Sequence, residues 1–333
     1  MFNAITDIPG IKVGHSSDLK GYTGCTVILC EAGAVSGIDV RGSASGTRQV
    51  DALGMSHIVD KVHAILLCGG SSFGLEAATG VSNYLEQKGV GFDVGITRIP
   101  IVPTAVIFDL FFGDHKARPT AKMGYQACEA AAAAEVAEGS VGAGVGAVVG
   151  KLFEMQRGMK GGLGTCSVAM PDSLKVGALV VVNAFGDIID NITGKIIVGL
   201  RKTEDSTELD NTVNCLKQGI VKKRFGMVNT TLGVVATNAA FSKRDITKVA
   251  QMAQGGLIKT ISPVHTTFDG DLVFALSTGE LEADVNMVGV LAEFVLAEAI
   301  KRAVKKADGF GILPAFRDIN KGWKTALRAR VPR

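Results

Sequence analysis

A chain of 333 residues, 47% of them hydrophobic, can bury a large core, and 42 glycines against 8 prolines point to tight turns and close backbone approaches. Thirty-five basic residues against 32 acidic ones leave a net charge of +3; the basic residues are scattered, which argues against a nucleic-acid partner. The longest apolar runs, such as residues 176–185, fall well short of the roughly 20 residues that span a bilayer, so no membrane association is expected.

In chain order, the first ten residues carry no basic region followed by an apolar stretch, so no signal peptide is expected. Short β-branched runs at 25–29 and 64–67 predict strands. Helical patterns follow at 72–88 and 119–136, the second containing the run from Ala130 to Ala134, where high helix propensity predicts a packed helix. Residues 176–182 predict a strand and 207–220 a helix. The short basic cluster Lys222-Lys223-Arg224 reads as a solvated loop leading into a strand at 232–237. A helix at 243–254, a strand at 272–277 and a helix at 287–306, with Lys301, Arg302, Lys305 and Lys306 near its end, complete the pattern. Strands and helices are interspersed without strict alternation, which favours a layered α/β fold with mixed sheets.

The six cysteines, Cys25, Cys30, Cys68, Cys128, Cys166 and Cys215, form no Cys-x-x-Cys pair and mostly lie in apolar runs, as suits a reducing cytoplasm. The five histidines lack zinc spacing, and no Gly-x-Ser-x-Gly elbow is present. Gly142-Ala143-Gly144-Val145-Gly146-Ala147 imitates a dinucleotide fingerprint, but it follows an alanine-rich segment rather than a first strand. Its glycines are expected to allow close packing near Lys151, one of few charges in a glycine-rich span.

Three further segments could carry chemistry. Gly226-Met227-Val228-Asn229-Thr230-Thr231 sets two hydroxyls between a loop and a strand. Attack by Thr230 on the preceding carbonyl, followed by hydrolysis, would free an α-amine whose pKa of about 7.7–8.0 suits a general base. Thr266-Thr267-Phe268-Asp269-Gly270-Asp271 would place Asp269 and Asp271 on one face of an extended strand. Asn183, at the end of an apolar strand, could aim its amide at an oxyanion. His265 reads as a structural histidine. Taken singly, each segment also has an ordinary structural explanation, as a strand start, an Asp-Gly turn or a strand-end amide.

Together these segments resemble the P1 or S58 peptidase family of L-aminopeptidase/D-esterases, β-peptidyl aminopeptidases and nylon-oligomer hydrolases. The resemblance runs across nearly the whole chain: Ile8 to His15, Asp39 to Gly42, Gly69 to Glu76, Val102 to Asp109, Gly142 to Gly144, Gly150-Lys151, Lys160 to Gly164 and Val182 to Ala184. It implies a four-layer α/β/β/α sandwich of the N-terminal-nucleophile type in one structural domain, 1–333, and assembly into a homotetramer. It further implies self-cleavage between Asn229 and Thr230 into chains 1–229 and 230–333. Thr230 would then be the nucleophile, Lys151 and the Asp269/Asp271 pair would assist amine and hydroxyl, and Asn183 would donate to the oxyanion. A small peptide or amide is the implied substrate, with no metal or organic cofactor.

Where the aminopeptidases of this family carry a glutamate for the substrate amine and, two residues on, an oxyanion tyrosine, this sequence has Ser71 and Phe73. The resemblance implies an aminopeptidase-like hydrolase of short peptides or amides in which both residues stand at the substrate, but serine cannot pair with an ammonium group and phenylalanine offers no hydroxyl, which argues against strict aminopeptidase specificity. Alternatives are acyl transfer of the ornithine acetyltransferase type and a catalytically weakened homologue that binds small molecules.

Overall fold

The computed structural model describes residues 1–220 and 229–319; the basic cluster at 222–224 lies outside the described residues. Nine strands form one mixed sheet: β1 (Lys12–Asp18), β2 (Thr23–Val40), β3 (Gly46–Arg48), β4 (Lys61–Cys68), β5 (Thr104–Val106), β6 (Gly162–Ala169), β7 (Lys175–Asn183), β8 (Thr230–Ala239) and β9 (Leu272–Leu281). The order is β6-β7-β8-β9-β2-β4-β5-β3, with β1 added to β2. The pairings β8 to β9 and β4 to β5 are parallel and the rest are antiparallel.

Strand β2 turns this sheet into two layers. Its first part pairs with β4 from Cys25 to Leu29, the register shifts between Leu29 and Ala34, and its last part pairs with β9 from Val35 to Val40. Ile28, Ile65 and Leu67 from one half then meet Leu179, Val181, Leu232, Val234, Leu272 and Phe274 from the other in a buried core. On the outer side of the second half, Val180, Val182, Val235 and Val273 pack under α4 (Lys243–Thr260) and α5 (Val285–Lys305). Outside the first half, Cys25, Val27, Leu66 and Cys68 pack under α1 (Ala77–Gln87) and α2 (Ala121–Glu129). The result is the four-layer α/β/β/α arrangement that the resemblance implies. It also explains why β7 and β8 read as unbroken apolar runs: both faces are covered, and each buried valine or leucine contributes about 1.5–3 kcal/mol of hydrophobic stabilisation.

All five expected strands are present, each with wider bounds. The helices differ more. The helix expected at 72–88 begins as a 3-10 turn over Ser71–Glu76 before α1. That expected at 207–220 shrinks to α3 (Thr212–Lys217), capped by the Asn211 side chain accepting from Asn214 N–H at 2.8 Å. The predicted helical run from Ala130 to Ala134 is not helical. α2 stops at Glu129, and Ala132 exchanges two backbone hydrogen bonds with Val13 of β1, each 3.1 Å. Tertiary pairing to β1 satisfies the Ala132 peptide and overrides alanine's propensity.

Near the end of α5, Lys301 is buried beside Glu298 at 2.6 Å and Arg302 reaches Glu138 at 2.6 Å. All six cysteines are buried and free. Among the described residues no helix is long and apolar enough to cross a membrane.

Candidate active site

The start of β8 lies at the end of β7, where Asn183 and Thr230 are directly opposed across the antiparallel ladder. Directly opposed positions bring Cβ atoms to about 4.5–5.5 Å, so the register alone sets the amide of Asn183 beside the hydroxyl of Thr230. Both residues are buried. Asn183 is held in one orientation: its Oδ1 accepts from Val148 N–H at 3.0 Å and from Lys151 Nζ at 2.8 Å, and its Nδ2 donates to the Phe108 carbonyl at 3.2 Å. The amide therefore presents its donor side toward Phe108 and the cleft lined by Phe108, Asp109, Phe111, Gly146, Lys151 and Asn183.

Lys151 reaches this place because Gly150 has φ +70° and a Cβ there would lie 2.2 Å from the Gly199 carbonyl carbon and the Leu200 nitrogen. Only glycine fits such a turn without strain. The Lys151 backbone N–H then donates to the Phe185 carbonyl at 3.0 Å, and the buried ammonium donates to both oxygens of Asn183, the main-chain one at 2.9 Å.

The paired acids arrive by a route other than the expected regular strand. Residues 267–268 form a turn, Asp269 makes a parallel bridge with Asn229, and β9 starts only at Leu272. Both carboxylates are nevertheless buried around the Asn229-Thr230-Thr231 segment. Asp269 accepts from Phe185 N–H at 3.1 Å, from Thr266 N–H at 3.2 Å and from the Thr266 hydroxyl at 2.5 Å. Asp271 accepts from Thr231 N–H at 2.7 Å and from His265 N–H at 3.1 Å, with His265 Nδ1 at 3.2 Å. His265 thus has the supporting place that sequence assigned it.

Burial, and after it the charge of Asp271, hold the Asp269 carboxyl well above the ordinary carboxylate range; the hydrogen bonds from Thr266 and Phe185 and the charge of Lys151 act in the opposite direction. Two acids this close and this dry disfavour double ionisation, so the pair can retain a proton near neutral pH.

The Asn229 carbonyl oxygen accepts from Thr230 Oγ1 at 2.5 Å and from Gly270 N–H at 2.7 Å. The hydroxyl is therefore adjacent to the peptide bond that precedes it. Ser71 and Phe73 stand further out. Ser71 N–H donates to the Ile107 carbonyl at 3.0 Å, next to the Phe108 that receives the Asn183 amide. Phe73 is 55% exposed, with the Arg118 guanidinium 3.5 Å from its ring centroid.

Sequence reasoning did not single out Lys160 or Asp109. The buried Lys160 ammonium donates to the carbonyls of Gly144, Ala147 and Gly161 at 2.8–3.0 Å, tying down the glycine-rich loop that delivers Val148 N–H to Asn183. Burial pushes its pKa down to about 7. Asp109 accepts from Gly70 N–H at 2.6 Å and the Thr23 hydroxyl at 2.7 Å, anchoring the turn that carries Ser71. The expected role of the Gly142-to-Gly146 glycines is thus served chiefly toward Lys160, although Gly146 does line the cleft with Lys151.

A sheet folded into two layers between helical layers is the N-terminal-nucleophile-hydrolase-like fold, and at one of its strand ends a threonine, an asparagine, a lysine and two acids lie together. The chain belongs to Peptidase family S58, whose model matches residues 3–310. It is 42% identical over 346 aligned positions to an uncharacterised aminopeptidase of Mycobacterium leprae, covering 94% of this chain and 93% of that one. It is 31% identical over 316 positions to the 6-aminohexanoate-oligomer endohydrolase of Kocuria sp., covering 90% and 85%. The solved L-aminopeptidase D-Ala-esterase/amidase of Ochrobactrum anthropi has the same fold, with a TM-score of 0.70 at 18% identity over 92% of this chain and 87% of that one.

Proposed function

We propose that the chain cuts its own Asn229–Thr230 bond and that the freed Thr230 then hydrolyses amide bonds in short peptides or amide oligomers through an acyl-threonine intermediate. The observation that carries this reading is the position of Thr230 Oγ1, 2.5 Å from the oxygen of the carbonyl it would attack, at a strand end shared with Asn183, Lys151 and the acid pair.

In the first step the Thr230 oxygen bonds to the Asn229 carbonyl carbon, the C–N bond breaks, and the hydroxyl proton ends on the Thr230 nitrogen. Water then hydrolyses the ester, leaving an Asn229 carboxylate, a free hydroxyl and an α-amine. That amine titrates near pH 7.7–8.0 and serves as the base when a substrate carbonyl takes the place of Asn229. Lys151 orients Asn183 through its two hydrogen bonds, and the Asn183 amide donates to the substrate oxyanion. Asp269 and Asp271 fix the segment on either side of the nucleophile, and the proton retained by the pair is exchanged with the amine and hydroxyl during turnover.

The serine at position 71 supplies no charge for a substrate ammonium group, which favours amides without a required free α-amine, as similarity to an oligomer endohydrolase also suggests; similarity to an aminopeptidase favours the opposite preference. Assembly into tetramers belongs to the same proposal. Acylation by an active-site-directed electrophile tests the nucleophile: label on Thr230 supports it, and label elsewhere with Thr230 untouched contradicts it.

A further inference from the structure

Phe73 has no hydroxyl with which to stabilise a tetrahedral oxyanion, whereas the scissile carbonyl of Asn229 already accepts a main-chain hydrogen bond from Gly270 N–H at 2.7 Å. We propose that the backbone N–H of Gly270 is the oxyanion donor for cleavage of the Asn229–Thr230 bond, and that Gly42 is the positioning residue that holds it there. This rests on the self-cleavage reading above.

Three hydrogen bonds fix the scissile peptide. Asn229 N–H donates to the Phe268 carbonyl at 2.8 Å, Gly270 N–H donates to the Asn229 carbonyl at 2.7 Å, and Thr231 N–H donates to Asp271 at 2.7 Å. The parallel bridge between Asn229 and Asp269 thus aims a main-chain donor at the oxygen on which charge develops as Thr230 Oγ1 adds to the carbon. A donor built into a ladder needs no reorganisation when that charge appears, which is the property that makes an oxyanion hole effective. When the intermediate collapses, the electron pair returns to re-form the carbonyl, the C–N bond breaks as the hydroxyl proton passes to the Thr230 nitrogen, and the carbonyl oxygen of the new ester stays hydrogen-bonded to Gly270 N–H.

The bridge is braced from behind. Arg41 and Gly42 N–H both donate to the Asp271 carbonyl at 3.0 Å, and Ala44 N–H donates to the Asp269 carbonyl at 2.9 Å. A Cβ on residue 42 would lie 2.2 Å from Asp271 N, 2.4 Å from Asp269 O and 2.6 Å from the Gly270 carbonyl carbon. All three are backbone atoms, so a side chain at position 42 must displace the very peptide that carries the donor. The end of the Asp39-to-Gly42 segment, hydrogen-bonded to Asp271, thereby acquires a function as the brace.

The test replaces Gly270 by glycolic acid in the full chain, so that an ester oxygen stands where the N–H was, and follows self-cleavage by mass spectrometry, scoring only the protease-resistant, folded fraction. Loss of one donor predicts cleavage slower by roughly 10²–10³-fold. The pH profile of cleavage should keep its shape while its height falls, whereas a mere disturbance of the Asp269/Asp271 pair would shift the profile. G42A should slow cleavage in its folded fraction in the same sense. If the ester chain does not fold, G42A together with a through-hydrogen-bond coupling measurement between the Gly270 nitrogen and the Asn229 carbonyl carbon, made in T230A, decides the matter. Wild-type-like cleavage in the folded ester chain, or in G42A, or a missing coupling overturns the proposal. A wild-type chain that never cleaves overturns the self-cleavage reading instead, so the two failures are distinct.

Discussion

Asp271→Asn, made in the Thr230→Ala chain so that one covalent species is compared with another, measures how firmly the acid pair holds the nucleophile strand. Asp271 uses both carboxylate oxygens, one for Thr231 N–H at 2.7 Å and the other for His265 N–H at 3.1 Å. An asparagine has one acceptor oxygen and one donor group, so either way it is turned, a buried N–H faces another donor. A hydrogen bond to a charged acceptor contributes about 1.5–3 kcal/mol, and a buried polar group left unsatisfied costs about 1–3 kcal/mol. Relief of the repulsion between Asp271 and Asp269 offsets part of this, leaving a net loss of roughly 2–4 kcal/mol. With an unfolding entropy of about 2.1 cal/mol/K per residue, the 333-residue chain should melt about 3–6 °C lower. Differential scanning calorimetry at fixed pH gives the answer. A melting temperature within about 1 °C of the parent would refute the claim that this carboxylate fastens residues 231 and 265 together.

The pH dependence of stability offers a second test. Because Asp269 is held above its unfolded value of 3.8, the folded chain keeps a proton that the unfolded chain releases, and the associated stability is full below pH 3.8 and lost as pH rises through the folded value. The Thr230→Ala chain should show that fall in denaturant titrations, and Asp269→Asn should flatten it; an unchanged slope contradicts the assignment. Asn183→Ala removes the acceptor for Lys151 and Val148 and the donor facing the cleft, so amide turnover should fall roughly 10²–10³-fold in steady-state assays, and near-normal turnover would exclude it as an oxyanion donor. Matched peptide amides with free and blocked N-termini should be hydrolysed at comparable rates, since Ser71 supplies no carboxylate; strong selection for the free amine would contradict that reading.

What the sequence could disclose depended on how local its cause was. The strands at 176–182 and 232–237 were legible because burial on both faces leaves unbroken apolar runs, and the junction at Asn229 and Thr230 stood out where polar residues meet one of them. The Ala130-to-Ala134 run misled because its backbone is claimed by Val13, more than a hundred residues away in sequence. The acid pair was readable as a pair, while its geometry was not, since the turn at 267–268 and the bridge to Asn229 depend on tertiary contacts. Gly270 N–H and Phe185 N–H escaped notice for a simpler reason: every residue but proline has a backbone donor, and only the fold selects the ones that matter. Lys160 lay within a motif, but two of its three carbonyl partners, Gly144 and Ala147, come from a loop segment that no spacing rule joins to it.

On the reading proposed above, Thr230 cuts the chain before it cuts anything else. Intact-mass measurement of the purified wild-type chain beside Thr230→Ala tests it most directly. Self-cleavage should give two wild-type fragments, residues 1–229 and 230–333, the second beginning with a free threonine, and one uncut chain for the variant. A wild-type chain that stays whole while hydrolysing amides, or a Thr230→Ala chain that is cut at the same bond, would contradict it.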